Sequence, residues 1–276
     1  MILLDGKAYA AELRAELKEK IDKLERKPGL AVIIVGEDPA SRVYVRNKIK
    51  ACEALGIRSY AYELPYNSTQ KEVEDLLDSL GDNAEVDGVL LQLPLPKHLD
   101  SEAAAKHIPV HKDVDGFSAH NLGLLMQHKE RVAACTPAGV MKILEKAGID
   151  VTGKHAVVLG RSETVGKPMA MLLLNANATV TICHSKTQNL KEICRSADIL
   201  VAAVGKINFV TEDMVKENAV VIDVGINRDE NGKLCGDVDF ENVKEKASYI
   251  TPVPGGVGPM TVTMLMYNTY LSVCKE

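Results

Sequence analysis

The chain has 276 residues, of which 46% are hydrophobic and 26% are charged, a composition typical of a folded globular protein and not of a disordered one. The net charge of -5 and the aromatic content of 4% exclude the basic surface and the stacking platform that nucleic-acid-binding proteins use. This length predicts one large domain or two of ordinary size.

Cysteine spacing and hydropathy predict the compartment. The six cysteines lack C-x-x-C spacing, so neither a zinc site nor a disulfide framework is indicated. The N-terminus does not have the pattern of a signal peptide, and no apolar run reaches the ~18 residues of a membrane span. We therefore expect a cytoplasmic protein that binds neither membrane nor nucleic acid.

The first part of the chain alternates between helical and strand patterns. An amphipathic helix comes first, with Leu13, Leu17 and Ile21 at helical spacing. A helix that opens with a capping box, Thr69 with Glu72, lies further along. The other predicted elements are strands over 30–36, 57–64 and 87–96 and a helix from 41 to 55. Strands that alternate with helices predict a parallel sheet.

The second part of the chain begins a new alternation. Thr136 is expected to cap a helix that has Pro137 as its first residue. The strands expected next are "HAVVLG", "TVTICHS", "ILVAAVG", "AVVIDVGI" and "SYITPV", with a helix after each of the first four. Pro259 starts a last helix, which either caps the second sheet or crosses back to the first part. The sequence thus predicts two α/β domains joined near residues 120–140.

A glycine turn in the second part has the context of a nucleotide-binding loop. Gly160, Ser162 and Gly166 lie directly between a predicted strand and a predicted helix. Their spacing differs from G-x-G-x-x-G, so an ordinary strand-to-helix turn is the alternative. Free N–H groups at the start of the helix favour a pyrophosphate.

The end of the next strand indicates which dinucleotide binds. An acidic residue there would bind the ribose 2′-hydroxyl of NAD and repel a 2′-phosphate. This strand instead ends with His184, Ser185 and Lys186, and Arg161 lies in the glycine turn. The absence of an acid and the presence of a hydroxyl and cations favour NADP over NAD.

Polar residues of the first part are candidates for catalysis. Ser41, Tyr44 and Lys48 lie beside the buried stripe of their helix; a solvated helix shoulder is the alternative. Partial burial would lower the pKa of a lysine and suit it to proton transfer. Gln92, near the end of an apolar strand, is either a water-facing residue or a buried amide that needs a partner.

Two further segments carry candidate ligand contacts. In "KDVDGF", Asp115 is either a turn residue or a carboxylate that binds a donor-rich heterocycle. His107 and His111 do not predict a metal site, because Pro109 between them disrupts the helical spacing. The loop "TPVPGGVGPMT", with three prolines and three glycines, predicts a stiff wall that a flat ligand can approach closely.

These motifs together resemble the bifunctional methylenetetrahydrofolate dehydrogenase/methenyltetrahydrofolate cyclohydrolase family. The resemblance covers essentially the whole chain. The segments that carry it include "YVRNKIKACEALGI", "DGVLLQLPLPKHL", "KDVDGF", "CTPAGV", "VVLGRSETVGKPMA", "VVIDVGIN", "GDVDF" and "ITPVPGGVGPMTVTMLM". Ala134 before Cys135 and Thr164 in the glycine turn depart from the usual pattern of the family, but neither is a candidate site residue.

The resemblance implies two reactions in one cleft between two domains. A hydride passes from 5,10-methylenetetrahydrofolate to NADP, and water then opens the methenyl cation to 10-formyltetrahydrofolate. It implies a folate-binding catalytic domain over residues 1–136, completed by a returning helix over 259–276, and a Rossmann-type NADP-binding domain over 137–258. A homodimer is also implied, and the ligase domain of larger family members is not expected.

The resemblance also implies residue roles. Lys48 serves the hydrolytic step, and Tyr44 and Gln92 position it and the folate. Folate contacts are further expected from Asp115, Pro254, Gly255, Gly256 and Gly258. Cofactor contacts are expected from Gly160, Arg161, Ser162, Gly166, His184 and Ser185, and no metal is expected.

Three alternatives remain open at this point. Tyr44 and Lys48 have the Y-x-x-x-K spacing of short-chain dehydrogenases, but there the pair follows the glycine turn instead of preceding it. A second alternative is a dehydrogenase of the same family that lacks hydrolysis. A third is a folate-binding protein without catalysis.

Overall fold

A computed structural model describes residues 1–274, which form two compact units, each with its own parallel sheet. The six-stranded unit contains residues 1–12, 125–129 and 134–264. The three-stranded unit contains residues 13–124 and 130–133 and the chain from Leu265 onward. The predicted α/β class with two units is therefore confirmed, whereas the domain boundary at residue 136 stays a prediction.

Strands and helices alternate along much of the described chain. The strands are β1 (Ile2–Leu3), β2 (Gly29–Val35), β3 (Arg58–Leu64), β4 (Gly88–Leu91), β5 (His155–Leu159), β6 (Thr179–Cys183), β7 (Ile199–Ala202), β8 (Val220–Asp223), β9 (Asn227–Arg228), β10 (Leu234–Cys235) and β11 (Tyr249–Ile250). The α-helices are α1 (Gly6–Asp22), α2 (Pro39–Leu55), α3 (Gln70–Asp82), α4 (Ser101–Ala105), α5 (Ala119–Met126), α6 (Cys135–Lys146), α7 (Gly166–Asn175), α8 (Leu190–Arg195), α9 (Phe240–Val243) and α10 (Val257–Val273).

The three-stranded sheet has the order β3-β2-β4, and all its strands are parallel. Every residue of the central strand β2 is buried, as expected for a strand covered on both faces. Strand β4 ends at Leu91, earlier than predicted, so Gln92 lies just beyond its carboxyl end. Because α/β sheets bind ligands at the carboxyl ends of their parallel strands, a site is expected at this edge.

Local sequence signals set the ends of the helices in this unit. The carboxylate of Asp38 accepts the N–H of Ser41 at the start of α2, and Gly56 ends the helix with a left-handed φ of 76°. The predicted capping box of α3 is confirmed, because Thr69 and Glu72 each accept the backbone N–H of the other.

The six-stranded sheet has the order β1-β11-β8-β7-β5-β6, and every pair in it is parallel. Strand β1 was not predicted, because its two residues are too short to show a period. The helix predicted after β7 is wrong: the described segment contains only a 3₁₀ turn, Glu212–Met214. The chain after β8 forms a short antiparallel hairpin of β9 and β10 before α9.

The predicted N-cap at Thr136 is also wrong. Helix α6 begins at Cys135, and Ala134 occupies the cap position without a side-chain hydrogen bond. The hydroxyl of Thr136 lies 3.0 Å from that of Thr261 in α10, so a tertiary contact takes the place of the local cap. The preference for particular residues at the start of a helix is weak, so a tertiary contact can override it.

The last helix returns to the first part of the chain, as the resemblance implied. Helix α10 starts in the six-stranded unit, and from Leu265 onward it belongs to the three-stranded unit. Within that unit the sulfur of Met266 lies 3.4 Å from the sulfur of Cys52 in α2. None of the helices within residues 1–274 has the length and apolar character that crossing a membrane would need.

Candidate active site

Lys48 and Gln92 meet at the carboxyl edge of the three-stranded sheet. Lys48 lies on α2, and its Nζ donates a hydrogen bond of 2.9 Å to Oε1 of Gln92. The amide nitrogen of Gln92 donates to the carbonyl oxygen of Leu93 at 2.6 Å, so both ends of this amide have partners. Both side chains are half-buried. Of the two possibilities, a water-facing residue or an amide with a partner, Gln92 is therefore the second. Its hydrogen bond fixes the direction of the Lys48 amine.

Tyr44 lies on α2 one turn before Lys48, and 39% of its surface is exposed. Because residues four apart in a helix share a face, Tyr44 and Lys48 both point to the same side of α2. Ser41, one turn earlier again, is buried. The phenol of Tyr44 is thus exposed on the face of α2 that also carries the tethered amine.

The "KDVDGF" loop is organised by the first of its two aspartates. The carboxylate of Asp113 is buried and accepts three backbone N–H groups, those of Gly116, Phe117 and Ser118. It also accepts the side-chain amide of Asn121 at 2.8 Å. The half-buried Asp115 lies inside the turn that these bonds close. The sequence singled out Asp115, whereas the structure adds Asp113 as the residue that holds it in place.

Helix α10 anchors the same loop from its own side. Asn268 is buried, and its amide nitrogen donates to the carbonyl oxygens of Val114 and Ala133 at 2.8 and 3.0 Å. The bond to Val114 fixes the backbone next to Asp115. Sequence reasoning missed Asn268, because its partners lie 154 and 135 residues away.

The glycine turn of the six-stranded unit starts at the carboxyl end of β5. Gly160 has a φ of 117°, and a Cβ on it would lie 2.2 Å from the carbonyl oxygen of Ala203, so no other residue fits. The hydroxyl of Ser162 accepts the N–H groups of Val165 at 3.1 Å and Gly166 at 3.3 Å. Ser162 therefore shapes the start of α7, and Gly166 is the first residue of that helix.

The carboxyl ends of β5, β6 and β7 enclose a pocket of about 280 Å³. The predicted cofactor residues Gly160, Arg161, His184 and Ser185 line it. The remaining lining residues are Leu159, Cys183, Leu190, Ala203, Val204, Lys206 and Phe209. Nδ1 of His184 accepts the N–H of Lys186 at 3.1 Å, which leaves Nε2 as the donor of the neutral ring.

The charged residues that line this pocket are basic. They are Arg161 and Lys206, and none of the described residues that line the pocket is acidic. Sequence reasoning found Arg161 but missed Lys206 and Phe209, because they lie in a segment that was expected to lead into a helix. The pocket therefore offers two cations, a hydroxyl and an apolar wall to a nucleotide with a 2′-phosphate.

Two buried carboxylates hold the loops behind this pocket. Asp237 is fully buried and accepts the N–H groups of Val204, Gly205 and Lys206 at 2.6, 2.9 and 2.8 Å. Asp223, at the end of β8, accepts the N–H of Asp237 at 2.9 Å. Burial raises the pKa of Asp223 to about 6, and the nearby Asp237 adds to the increase.

The proline- and glycine-rich loop packs closely against the start of α1 within the six-stranded unit. The carbonyl oxygen of Gly255 accepts the N–H of Lys7 at 2.9 Å. A Cβ on Gly6 would lie 1.8 Å from the carbonyl oxygen of Gly256, so these two backbones touch. Gly256 of this loop therefore packs against the backbone of α1. Gly258 differs, because a Cβ on it would meet no described atom within 4 Å.

A second hollow, of about 1020 Å³, lies at the carboxyl ends of β2, β3 and β4. It is lined by Arg42 and Lys97 together with Glu37, Asp38 and Glu63, so its charges are mixed. Arg42 pairs with Glu37 and Glu63 at 3.6 and 3.4 Å. Within residues 1–274 no group of three or more His, Cys, Asp or Glu side chains is arranged to hold a metal ion.

Family models match both parts of the chain. Residues 4–115 match the model described as "Tetrahydrofolate dehydrogenase/cyclohydrolase, catalytic domain". Residues 134–276 match the model described as "Tetrahydrofolate dehydrogenase/cyclohydrolase, NAD(P)-binding domain". The chain belongs to the tetrahydrofolate dehydrogenase/cyclohydrolase family.

Curated members of the tetrahydrofolate dehydrogenase/cyclohydrolase family resemble the chain over nearly its whole length. The bifunctional protein FolD of Campylobacter curvus is 57% identical over 99% of this chain and 96% of its own. The bifunctional protein FolD of Moorella thermoacetica is 57% identical over 97% of this chain and 96% of its own.

Solved structures of the family have the same fold. FolD from Campylobacter jejuni matches with a TM-score of 0.97 at 51% identity, over 99% of this chain and 98% of that one. The Trypanosoma brucei enzyme, solved with NADP and an inhibitor, matches with a TM-score of 0.94 at 40% identity, over 99% of this chain and 97% of that one. The family resemblance seen in the sequence is thus confirmed.

Proposed function

We propose that the chain oxidises 5,10-methylenetetrahydrofolate with NADP and then hydrolyses 5,10-methenyltetrahydrofolate to 10-formyltetrahydrofolate. Membership of the tetrahydrofolate dehydrogenase/cyclohydrolase family supports both activities. The observation that carries the bifunctional proposal is the hydrogen bond of 2.9 Å between Lys48 and Gln92. A dehydrogenase without hydrolysis would not need an amine held at the carboxyl edge of the three-stranded sheet.

Hydrolysis requires a group that handles protons beside the reacting carbon. Water adds to the bridging methenyl carbon, the bond from this carbon to N5 breaks, and one proton is released. The Lys48 amine is proposed to accept the proton from the attacking water and to return one to N5. Its hydrogen bond to Gln92 directs it, and Tyr44 lies on the same face of α2 as a ligand contact.

Substrate recognition is proposed for Asp115 and for the proline- and glycine-rich loop. A carboxylate can accept two parallel hydrogen bonds from the amino-pyrimidine edge of a pterin. The bonds of Asp113 and Asn268 hold the backbone around Asp115, so its position is fixed before the substrate binds. Pro254, Gly255, Gly256 and Gly258 stay predicted contacts of the folate.

The pocket of the six-stranded unit fits the cofactor. NADP, when bound, supplies the acceptor for the hydride. Arg161 and Ser185 are proposed to hold its 2′-phosphate, and His184 lines the same pocket. Gly160, Ser162 and Gly166 stay predicted contacts of the pyrophosphate, but the free N–H groups expected at the start of α7 are not found there among the described residues. Val165 and Gly166 donate to the hydroxyl of Ser162, Lys167 donates to its carbonyl oxygen, and Pro168 has no N–H. The predicted roles of Gly160 and Gly166 are to let the chain pass close to these phosphates.

The assembly and location of the protein are proposed on the family resemblance. We expect a homodimer, which light scattering of the purified protein would detect as twice the chain mass. Cys52, Cys183 and Cys194 are free and buried, as is usual in a reducing compartment such as the cytoplasm.

The test is a two-signal assay with methylenetetrahydrofolate and either NADP or NAD. Reduced cofactor and the methenyl chromophore are followed separately, for the wild type and for Lys48→Met. Lys50→Met is the matched control, because Lys50 is an exposed lysine of the same helix. We expect the wild type to form NADPH with little methenyl compound, Lys48→Met to accumulate it, and Lys50→Met to behave as the wild type.

Three outcomes would contradict this proposal. Accumulation of the methenyl compound by the wild type indicates a dehydrogenase that lacks hydrolysis. Faster reduction of NAD than of NADP overturns the roles of Arg161 and Ser185. Reduction of neither cofactor, with folate still bound, indicates a binding protein without catalysis.

A further inference from the structure

The loop after β7 places a lysine at the nucleotide pocket that the family resemblance did not point to. Lys206 is exposed, and it lines the same pocket as Arg161 and Ser185. Its ammonium group lies 5.7 Å from the ring centre of Phe209, another lining residue, within the range of a cation–π contact. This contact places the amine of Lys206 beside an apolar lining residue of the pocket.

The backbone that carries Lys206 is fixed from behind. The N–H of Lys206 donates to Oδ1 of Asp237 at 2.8 Å, and the two preceding residues donate to Oδ2 of the same carboxylate. The side-chain amide of Asn227 donates to Oδ1 at 2.9 Å. With four donors, the buried Asp237 is satisfied and does not need the lysine ammonium as a partner. The positive charge of Lys206 is therefore available to a ligand.

The chemistry of the pocket indicates which part of a ligand that charge would meet. The pyrophosphate is proposed to lie at the glycine turn before α7, which contains Ser162. The adenosine ribose of a dinucleotide lies at the end of the second strand of the fold, here β6 with His184 and Ser185. Lys206 shares the pocket with these two residues, and no described lining residue is acidic.

We infer that Lys206 is a third contact of the cofactor's 2′-phosphate, beside Arg161 and Ser185, and that it contributes to the choice of NADP over NAD. The inference rests on the proposed function of this pocket as the NADP site. On this inference, Asp237 positions the backbone of Lys206, and Phe209 positions its side chain.

The experiment measures dissociation constants by calorimetry for NADP, NAD and adenosine 2′,5′-bisphosphate. The variants are Lys206→Met and Lys206→Arg, with Lys233→Met as the matched control. Lys233 is an exposed lysine between β9 and β10 of the same unit and is not among the residues that line the pocket. We expect Lys206→Met to weaken NADP and the bisphosphate about 10- to 100-fold, as loss of a charge-assisted hydrogen bond does, and to leave NAD unchanged.

The remaining variants make the result specific to this position. Lys206→Arg should keep most of the affinity for NADP, and Lys233→Met should change it by less than about twofold. Equal weakening of NADP and NAD by Lys206→Met would overturn the inference, because the lysine would then contact a part that both cofactors share. Equal losses in Lys206→Met and Lys233→Met would also overturn it, since general positive charge would then be the cause.

The two proposals fail in distinguishable ways. If the wild type binds neither NADP nor the bisphosphate, the proposed cofactor site is wrong and the inference fails with it. If the wild type binds NADP far more tightly than NAD and Lys206→Met keeps that ratio, the cofactor site stands and only the role of Lys206 is wrong. Unchanged melting temperatures of the variants, expected for an exposed residue, would show that folding does not cause the difference.

Discussion

Asp223 and Asp237 are two buried aspartates joined by a hydrogen bond, in which Oδ1 of Asp223 accepts the backbone N–H of Asp237 at 2.9 Å. Asp223 also accepts the N–H groups of Gly225 and Val238, and Asp237 accepts those of the loop after β7. The pair therefore joins the end of β8 to the loop that lines the nucleotide pocket. Burying carboxylates is costly, and backbone donors offset only part of that cost.

The first prediction concerns pH and Asp223. Its pKa is raised from 3.8 to about 6, mainly by burial, so the folded state binds this proton more tightly than the unfolded state. The contribution of Asp223 to stability is therefore fully present below about pH 4 and is lost as pH rises through 6. We expect a loss of roughly 3 kcal/mol in the free energy of unfolding from this group.

Denaturant unfolding of the wild type and of Asp223→Asn at pH 4.5 and pH 7 checks this prediction. The asparagine does not titrate, so the difference in unfolding free energy between the two proteins should change with pH in favour of the variant at pH 7. The absolute stability of the variant is not the test, because the amide cannot accept all the N–H groups that the carboxylate does. Parallel pH profiles of the two proteins would contradict the raised pKa.

The second prediction concerns Asp113. Asp113→Ala removes a buried carboxylate that accepts three backbone N–H groups and one side-chain amide, and leaves those donors without a partner. We expect the free energy of unfolding to fall by roughly 2–4 kcal/mol. Because the loop that carries Asp115 loosens, the KM for folate should also rise, with a smaller effect on the KM for NADP.

The matched control for Asp113→Ala is Asp115→Asn. If Asp115 binds the pterin, this variant should raise the KM for folate with a stability change well below that of Asp113→Ala. An unchanged KM in both variants would exclude this loop from the folate site.

Local rules predicted those elements whose signals lie within a few residues. The capping box of Thr69 and Glu72 and the end of α2 before Gly56 are examples, because each is satisfied inside one turn of backbone. Thr136 shows the limit: its hydroxyl pairs with Thr261, 125 residues away, and Ala134 takes the cap position. A sequence pattern of a few residues around Thr136 cannot show that a distant threonine will bind its hydroxyl.

The same distinction applies to the site. Gln92 was identifiable because it interrupts an apolar strand, and Lys48 because it lies beside the buried stripe of its helix, although their hydrogen bond spans 44 residues. Lys206 could not be identified, because the segment after β7 was expected to form a helix and its shape depends on Asp237, 31 residues later. The role of Asn268 likewise depends on partners in distant segments.

The third prediction concerns Gln92. Gln92→Met removes the acceptor that directs the Lys48 amine but keeps the size of the side chain. We expect the rate of methenyl hydrolysis to fall about tenfold or more, while the rate of NADPH formation changes by less than about twofold. Stopped-flow absorbance of the methenyl compound, supplied directly as substrate, measures this. Equal losses in the two rates would show that Gln92 binds the folate and does not act through Lys48.

The last prediction separates packing from ligand contact in the proline- and glycine-rich loop. A Cβ on Gly256 would lie 2.6 Å from the carbonyl oxygen of Pro252 and 2.8 Å from the Cβ of Thr251. Gly256→Ala should therefore lower the free energy of unfolding by roughly 1–3 kcal/mol through overpacking.

Gly258→Ala is expected to change substrate binding and not stability. A Cβ at Gly258 meets no described atom within 4 Å, and its φ is not in the left-handed region, so the substitution should leave the melting temperature unchanged. If the folate comes as close to this backbone as the sequence predicts, the new methyl group should raise the KM for methylenetetrahydrofolate several-fold. A wild-type KM together with a wild-type melting temperature would remove Gly258 from the substrate site, and the glycines of this loop would then be explained by packing alone.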